Sequence, residues 1–333
     1  MVNILVTGGY GFIGSAFIRQ CLDTESCNIL NIDSMTYAAN KFNLRGYEES
    51  ENYSFLELDI CDLLSVQEVT RDFRPTWIVN FAAESHVDNS INSPETFMKT
   101  NIDGVLSLLK ASSSYFESIG KDKEFRFLHI STDEVFGDLK KNLPPAKEET
   151  AYNPSSPYSA SKASSDHLVQ AWARTYGLPV LLTNCSNNYG PNQHKEKFIP
   201  KIIYNSLNGL EIPVYDKGEN IRDWIYVEDH VSCLIKILKY SDPFQRYNIG
   251  ASNQLSNLAI LDIILDSFES LSKKKHLRDL IVYVPDRPGH DFRYAIDSSK
   301  AQNDLGWSPS DNHKNLFYET VKWYLDNQEF YVN

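Results

Sequence analysis

The chain has 333 residues, of which 42% are hydrophobic and 23% are charged, so it can bury one large core or two joined ones. Its net charge of −12 at pH 7, without any basic block, argues against a nucleic-acid partner. The negative net charge does not exclude an anionic small molecule held by a local cluster of cations. No apolar run approaches the roughly 18 residues of a membrane span.

The N-terminus and the cysteines indicate the compartment. The sequence passes directly into the apolar residues 2–6, without the charged start and cleavage site of a secretion signal, so we expect none. The five cysteines are odd in number and lack the spacing of a metal site. We therefore expect reduced thiols, no bound metal and a cytoplasmic protein.

The first motif is a glycine-rich loop. The apolar residues 4–6 predict a short buried strand, and Gly8, Gly11 and Gly14 follow it at a spacing of three. Glycines at these positions let the backbone turn tightly and approach a pyrophosphate. A helix predicted over 12–22 would then direct its free N–H groups and positive dipole end at that anion. The loop predicts a dinucleotide site.

An acidic residue after the second strand indicates which dinucleotide binds. Residues 28–32 predict this strand, and Asp33 follows it, 19 residues after Gly14. A carboxylate at this place accepts hydrogen bonds from the adenosine ribose hydroxyls and repels a 2′-phosphate. The sequence therefore predicts NAD rather than NADP as the cofactor.

The next segments alternate between strands and helices. Strands are predicted over 54–58, 77–81 and 125–130. One helix is expected to follow a capping box at Ser65 and Glu68, and a longer one to begin at Ser93-Pro94. Alternation over the first 185 residues predicts an α/β fold, a Rossmann-type doubly wound parallel sheet. Ligands bind beyond the carboxyl ends of the strands in such sheets.

The character of the sequence changes near residue 190. Elements become shorter, and Pro, Gly, Lys and aromatic residues interleave, although residues 228–240 and 314–326 still show helical apolar stripes. We predict that residues 1–190 form an NAD-binding Rossmann domain. Residues 191–333 are predicted to form predominantly a smaller, mixed α/β substrate-binding lobe.

The chemistry centres on a Tyr and a Lys in a helix predicted over 156–176. Tyr158 and Lys162 are one helical turn apart and so share a face. A Tyr with its usual pKa of about 10 is a poor base, but a nearby ammonium and a positive nicotinamide ring would lower that pKa. Thr132, after strand 125–130, could bind the same substrate hydroxyl. This set predicts oxidation of a hydroxyl by hydride transfer to NAD.

These motifs resemble the extended short-chain dehydrogenase/reductase family, in its nucleotide-sugar branch. The resemblance rests on the glycine loop, Asp33, Ser131-Thr132 and Tyr158-x-x-x-Lys162, and it runs from residue 3 to about 326. Segments 82–88, 156–163, 184–191, 222–224 and 286–291 are most similar to its sugar-nucleotide 4,6-dehydratases. The 4-epimerases of the family lack an acid pair like Asp133-Glu134, and its decarboxylases and GDP-mannose dehydratases carry Ser in place of Asp133.

The resemblance implies that the chain removes water from a dTDP-hexose. Once the hydroxyl on sugar carbon 4 is a ketone, the proton on carbon 5 becomes acidic. One carboxylate can take that proton while a protonated carboxyl donates to the departing hydroxyl on carbon 6, and two neighbouring acids in different environments suit these opposite roles. By resemblance, Asp133 is the acid and Glu134 the base.

The resemblance also implies binding roles. The residues that would surround NAD are Gly8, Gly11, Phe12, Ile13, Gly14, Asp33, Ser34, Met35, Thr36, Asp59, Ile60, Phe81, Ala82, Ala83, Ser85, Thr100, Tyr158, Lys162 and Asn188. Those that would bind the sugar nucleotide are Ser85, Thr132, Asn187, Lys197, Phe198, Pro213, Tyr215, Arg222, Asn257, Asp286, Arg287 and His290. Lys197, Arg222 and Asn257 would hold the diphosphate.

Two alternative functions stay open at this point. The same dehydration could act on a UDP-sugar, or the chain could be a catalytically silent NAD-binding sensor.

We also have one expectation about assembly. The predicted helices over 94–117 and 156–176 carry small and apolar residues on more than one face, which fits the two-fold helix-bundle homodimer of the family.

Three positions depart from the family pattern. Phe136 stands where members usually have Tyr, Asn89 where they have Arg, and Ala39 where they have Gly. None of the three belongs to the predicted acid–base set. We expect them to affect substrate preference rather than reaction type.

Overall fold

A computed structural model describes residues 1–331 of the chain. Its centre is a parallel sheet of seven strands, in the order β3-β2-β1-β4-β5-β6-β10. The strands of the molecule are β1 Val2–Thr7, β2 Cys27–Asp33, β3 Tyr53–Glu57, β4 Trp77–Asn80, β5 Arg126–Thr132, β6 Val180–Cys185, β7 Asn187–Tyr189, β8 Ile212–Tyr215, β9 Ile221–Tyr226, β10 Arg246–Ile249, β11 Gln254–Ser256 and β12 Ile281–Val284. The order of the first six strands in the sheet is that of a Rossmann fold, which confirms the predicted architecture.

Helices cover both faces of this sheet. They are α1 Phe12–Thr24, α2 Leu63–Phe73, α3 Val87–Asn92, α4 Pro94–Met98, α5 Val105–Ser118, α6 Pro157–Tyr176, α7 Phe198–Asn208, α8 Val227–Tyr240, α9 Asn257–Ser272, α10 Ser299–Leu305 and α11 His313–Asp326. Short 3₁₀ segments lie at Lys41–Leu44, Asp133–Phe136, Leu277–Leu280 and Gln328–Tyr331. In the described part of the chain, no helix is long and apolar enough to cross a membrane.

The strand residues alternate between two buried layers. Ile4 and Val6 pack on one face, in a core that includes residues of α1 and α8, whereas Leu5 packs on the other with residues of α2, α5 and α6. Parallel strands covered on both faces need apolar residues at nearly every position, as β1 and β4 have. This explains why these strands were readable as continuous apolar runs.

Two helix starts differ from the predictions. The capping box at Ser65 and Glu68 is wrong, because α2 begins at Leu63 and Asp62 caps it, accepting from the Ser65 backbone N–H at 3.3 Å and the Ser65 hydroxyl at 2.7 Å. The long helix from Pro94 is interrupted by a π-helical segment, Lys99–Gly104, and Ser93 makes no side-chain cap. Helix α6 does begin with a capping box, formed by Ser156 and Ser159.

The later half of the chain builds a second core and also completes the first. Helices α7, α9 and α11 enclose the second core, in which Tyr189 stacks on Phe317 with ring centroids 4.1 Å apart. Two small sheets, β11-β9-β7 and β12-β8, belong to this part. However, β10 joins the large sheet and α8 packs on it. The boundary near residue 190 stays a prediction, and residues 332–333 lie outside the described part.

Candidate active site

The carboxyl ends of β1, β2, β4 and β5 open into one cavity of about 590 Å³. Its lining includes all five predicted catalytic residues: Thr132, Asp133, Glu134, Tyr158 and Lys162. It also includes every residue predicted to surround NAD except Met35. Sequence-distant motifs thus meet in a single space of the size that protein ligand sites usually have.

The glycine loop forms the floor of this cavity at the end of β1. Gly8 has a φ of +69°, and a Cβ there would lie 2.7 Å from the backbone nitrogen of Ala82. Any side chain would therefore collide with the neighbouring strand end. Helix α1 starts at Gly11 without a side-chain cap, which leaves its first N–H groups free. The loop is shaped to hold an anionic group at the helix start.

Asp33 is fixed at the end of β2 by two backbone hydrogen bonds. Its Oδ2 accepts from the Tyr10 N–H at 3.0 Å, and its Oδ1 accepts from the Met35 N–H at 2.9 Å. Burial raises the pKa of this carboxyl, and the two hydrogen bonds oppose that rise. Met35 therefore helps to fix Asp33 through its backbone N–H, whereas Met35 itself is not part of the cavity lining. Together with the glycine loop, this arrangement fits NAD.

Helix α6 brings Tyr158 and Lys162 to the cavity. Both side chains are buried, and Lys162 donates from Nζ to the Ile130 carbonyl oxygen at 2.8 Å. The pKa of Tyr158 is raised well above its usual value, first by burial and then by the charge of Glu134, while a hydrogen bond with Thr132 opposes the rise. This direction holds for the protein without NAD. The predicted lowering of the Tyr158 pKa depends on a nearby ammonium together with a positive nicotinamide ring, so it stays a prediction.

The acid pair lies in the short 3₁₀ helix Asp133–Phe136 that follows β5. Thr132 caps this helix by accepting from the Glu134 N–H at 3.3 Å, and its hydroxyl donates to Asp133 Oδ1 at 3.4 Å. Asp133 Oδ2 and Glu134 Oε2 are both buried, and neither accepts a hydrogen bond from any described residue. Two buried carboxyl oxygens without partners are costly unless a ligand uses them.

The two acids have different electrostatic surroundings. The pKa of Asp133 is raised well above its usual value by burial and then by Glu134 and Asp223. Burial also raises the pKa of Glu134, but the cations Arg287, Arg222 and Lys197 oppose this rise. Asp133 is therefore the better holder of a proton, and Glu134 the better carboxylate.

The three cations that act on Glu134 are held by protein groups. Lys197 donates from Nζ to the Ser85 carbonyl oxygen at 2.7 Å. Arg222 is buried, donates to the Asp291 carbonyl oxygen at 2.9 Å and lies over a tyrosine ring. Arg287 donates from Nη1 to Asp88 Oδ1 at 2.9 Å. Each cation is thus already fixed by a protein acceptor.

The predicted substrate residues divide into two groups. Ser85, Thr132, Asn187 and Lys197 line the cavity, and the remaining eight lie outside its lining, namely Phe198, Pro213, Tyr215, Arg222, Asn257, Asp286, Arg287 and His290. Four of these eight form a contact chain with Asp88. The Tyr215 hydroxyl donates to Asp88 at 2.9 Å, His290 lies 2.5 Å from Asp286, and the rings of Tyr215 and His290 meet edge to face.

Sequence reasoning missed three polar residues around the site. Asp88 holds both Tyr215 and Arg287, and nothing in the local sequence indicates such distant partners. Asn101 lies in the π-helical segment, accepts from the Glu84 N–H at 2.9 Å and donates to Ser161 Oγ at 2.9 Å. Asp166 lies one turn after Lys162 on the same helix face, and that spacing was the signal that could have revealed it.

The three departures from the family pattern have local contacts. Phe136 packs edge to face on Tyr152, with ring centroids 5.4 Å apart, and the guanidinium of Arg246 lies 5.1 Å from the Phe136 ring. Asn89 donates from Nδ2 to the Tyr37 hydroxyl at 3.2 Å. Ala39 lines the cavity near the end of β2. None contacts the acid pair through a described hydrogen bond.

Comparison with known proteins decides the family. The family model described as GDP-mannose 4,6 dehydratase matches residues 5–320. The dTDP-glucose 4,6-dehydratase of Shigella flexneri is 47% identical over 343 residues, covering 100% of this chain and 95% of the relative. The enzyme of the same name from Haemophilus influenzae is 48% identical over 334 residues, covering 98% and 99%. This chain belongs to the dTDP-glucose 4,6-dehydratase family.

A solved structure supports the same membership. The crystal structure of dTDP-glucose 4,6-dehydratase from Bacillus anthracis in complex with NAD superposes with a TM-score of 0.88 at 38% identity, covering 100% of this chain and 99% of that one. The resemblance to the extended short-chain dehydrogenase/reductase family is thereby confirmed. Membership in a dehydratase family also agrees with an acid pair at the end of β5.

Proposed function

We propose that this chain is an NAD-dependent hydro-lyase that converts dTDP-glucose to dTDP-4-keto-6-deoxyglucose, a reaction of deoxysugar biosynthesis. The observation that carries this proposal is the acid pair, Asp133 and Glu134, in the same cavity as Tyr158 and Lys162. A redox pair alone would suit an epimerase as well, whereas two carboxyl groups with opposed electrostatic surroundings suit an elimination. Relatives that share the whole length of the chain carry this activity in their names.

The glycine loop, Asp33 and the strand end at 81–83 would hold NAD. When bound, NAD supplies the acceptor for the hydrogen of carbon 4 and its return to carbon 6, so the cycle needs no external oxidant. The start of α1 binds its diphosphate, and the carboxylate of Asp33 binds the adenosine ribose and excludes NADP. The NAD complex of the Bacillus anthracis relative supports this assignment.

Tyr158 takes the proton of the carbon 4 hydroxyl in the first half of the reaction. Thr132 donates to or accepts from the same hydroxyl and keeps it near the phenol oxygen, since Thr132 and Tyr158 line the same cavity. Lys162, fixed by the Ile130 carbonyl oxygen, supplies the positive charge that favours the phenolate. A positioned acid–base group of this kind typically contributes about 10²–10⁴ in rate.

The acid pair acts in the second half. Glu134 accepts the proton of carbon 5, because three cations favour its carboxylate form. Asp133 donates a proton to the departing carbon 6 hydroxyl, because burial and the neighbouring Glu134 favour its protonated form. Their partnerless oxygens, Asp133 Oδ2 and Glu134 Oε2, are the atoms free to meet the substrate.

The later part of the chain binds the sugar nucleotide. Lys197, Arg222 and Asn257 hold the diphosphate, and residues 286–290, which include Arg287, close the far side of the substrate. The effect of Arg287, Arg222 and Lys197 on the pKa of Glu134 supports a site for an anionic ligand near the acid pair. Pro213 and Tyr215 bind the nucleotide base and its ribose. We assign residues 191–333 predominantly to this lobe. We further propose that the chain forms a homodimer through α5 and α6. We also propose a cytoplasmic location, which suits the five free cysteines.

Incubation with sugar nucleotides tests the proposal directly. The purified protein is mixed with dTDP-glucose or UDP-glucose without added cofactor, and the products are identified by mass spectrometry and NMR. We expect the 4-keto-6-deoxy product from dTDP-glucose, made with NAD that stays with the protein. Product from UDP-glucose alone would move the activity to UDP-sugars, and a protein that binds NAD but converts neither sugar would be a silent sensor.

A further inference from the structure

A line of buried polar side chains crosses the large sheet beside the cavity, and the activity proposed above does not use it. Thr7 of β1, Asn80 of β4 and His129 of β5 are paired directly across three neighbouring strands, so they share one face of the sheet. Asp166 of α6 packs on the same face, and all four side chains are at most 1% exposed. Burying such groups is costly unless each is satisfied.

The hydrogen bonds define which ring nitrogen of His129 carries hydrogen. The Thr7 hydroxyl accepts from the Ala82 N–H and donates to Asn80 Oδ1 at 2.6 Å. The amide nitrogen of Asn80 therefore faces His129 Nδ1, at 3.1 Å, and donates to it. The hydrogen of the neutral ring then sits on Nε2, which lies 3.5 Å from Asp166 Oδ1.

His129 does not supply a positive charge to this arrangement. Burial lowers its pKa, and so does the ammonium of Lys162, while Asp166 opposes both effects. A neutral imidazole leaves Asp166 without a cation on this side.

Asp166 is nevertheless held as a carboxylate. Its Oδ2 accepts three hydrogen bonds, from Ser131 Oγ at 2.9 Å, the Tyr152 hydroxyl at 2.6 Å and Asn184 Nδ2 at 3.2 Å. Its Oδ1 accepts none from the described residues. Although burial alone would raise the pKa of Asp166, His129, Lys162 and Tyr152 bring it below the usual value. Three donors thus fix Oδ2 of the carboxylate, whereas Oδ1 has no donor among the described residues.

The carboxylate of Asp166 stabilises the positive charge of Lys162. It lies one helical turn before Asp166 on α6, and its ammonium donates to the Ile130 carbonyl oxygen. Burial lowers the pKa of Lys162, and Asp166 is the largest influence that raises it, followed by Cys185 of β6. The titratable groups that interact electrostatically with Lys162 are therefore Asp166 on its own helix, His129 on β5 and Cys185 on β6. A buried ammonium without a counter-ion tends to lose its proton.

We propose that Asp166 is a positioning residue, a fixed and buried carboxylate one helical turn from Lys162 that keeps this lysine protonated beside Tyr158. His129, oriented by its chain to Thr7, directs Nε2 towards the free oxygen of Asp166 at 3.5 Å. The inference rests on the proposed function, because Lys162 assists Tyr158 in that reaction.

The test compares the wild-type protein with Asp166→Asn, which removes the charge and keeps the shape. Tyr152→Phe is the matched control, because it removes one donor to Asp166 and leaves the charge. The titration of Lys162 is followed by NMR on protein labelled at the lysine side-chain nitrogen. The formation of NADH from dTDP-glucose is followed in single turnovers across the same pH range, and NAD affinity is measured alongside.

In Asp166→Asn, we expect Lys162 to lose its proton at a pH lower by about one unit or more. NADH formation should then begin to decline at a correspondingly lower pH, while NAD affinity stays within about twofold. Tyr152→Phe should keep the wild-type pH profile, even if its rate changes. If Asp166→Asn does not fold, Asp166→Ser removes the same charge with less volume.

Unchanged titration of Lys162 in whichever charge-removing variant folds would overturn the inference. So would a rate that falls equally at every pH, since a purely structural defect behaves in that way. Wild-type protein that forms no NADH would contradict the proposed function instead, and the NMR titration would still decide the role of Asp166.

Discussion

The two ends of the candidate site are built differently. At the inner end, Asp133 and Glu134 follow a central strand, and Tyr158 and Lys162 share one face of the 20-residue helix α6. At the outer end, Arg222 lies on a strand of a three-stranded sheet, and Arg287 lies in the segment after β12. Regular elements fix the inner end, whereas contacts between distant segments fix the outer end.

The state of the polar groups differs in the same way. The inner acids each keep a buried oxygen without a described partner, so they are ready to act on a substrate. The outer cations already have acceptors, which are carbonyl oxygens for Arg222 and the Asp88 carboxylate for Arg287. A ligand that binds the guanidinium of Arg287 therefore has to compete with Asp88 for it. We infer that the inner end determines the rates of the chemical steps, and that the outer end determines affinity.

The largest effect is expected at Tyr158. Tyr158→Phe removes the oxygen that accepts the substrate proton, and the first step should slow about 10²–10⁴-fold. The measurement is NADH absorbance in a single turnover with dTDP-glucose. NAD affinity serves as the control and should stay unchanged. A near-normal rate of NADH formation would mean that another group is the base.

The acid pair should show losses of similar size, but in a later step. In Glu134→Gln, NADH should still form while carbon 5 exchanges no deuterium in heavy water. In Asp133→Asn, that exchange should persist while loss of water slows, because an amide is a far poorer acid. Wild-type rates of product formation in both variants would reduce these residues to a buried turn without a catalytic role.

A smaller effect is expected at the outer end. Arg287→Gln removes the proposed charge-assisted contact of Arg287 with the sugar nucleotide, worth roughly 1.5–3 kcal/mol, so the Kd for the sugar nucleotide should rise about 10–150-fold. Calorimetric titration with dTDP checks this, and NAD affinity is the control. Equal weakening of both ligands would show that Arg287 supports the fold rather than the ligand.

The smallest effect is expected at Asp88. Asp88→Asn weakens the grip on Arg287 and Tyr215 without removing either residue, so dTDP should bind a few-fold more tightly, by about 0.2–1 kcal/mol. Asp286→Asn is the comparison variant, because Asp286 contacts His290 and the Arg287 backbone N–H but does not pair with the Arg287 guanidinium. Weaker binding in Asp88→Asn would mean that Asp88 orients Arg287 for the ligand rather than competing with it.

The same contrast explains what the sequence could and could not predict. The Rossmann sheet, the glycine loop and Asp33 followed from local patterns, since buried parallel strands and loops at their ends are encoded in short segments. The pairing of Arg287 with Asp88 joins residues 199 positions apart, and no local pattern encodes it. The cap of α2 was misplaced because Asp62, which also suits a helix cap, lies three residues earlier and accepts hydrogen bonds from Ser65.

The pKa values of buried groups also cannot be predicted from the local sequence. The lowered pKa expected for Tyr158 counted Lys162 and a nicotinamide ring, whereas in the protein alone burial and the charge of Glu134 raise this pKa, and only the packed structure reveals these two effects. Asp166 was overlooked because a carboxylate on a helix is usually exposed, whereas here it is fully buried under three donors. These features depend on how distant segments pack.

The transfer of a label within the sugar tests the central claim most directly. Substrate dTDP-glucose carrying deuterium at carbon 4 is converted by the purified protein without added cofactor, and the product is examined by NMR. We expect the deuterium on carbon 6 of a 4-keto-6-deoxy sugar, with one solvent-derived hydrogen on carbon 5. Deuterium that remains on carbon 4 of an epimerised hexose, or that accumulates in free NADH, would contradict it.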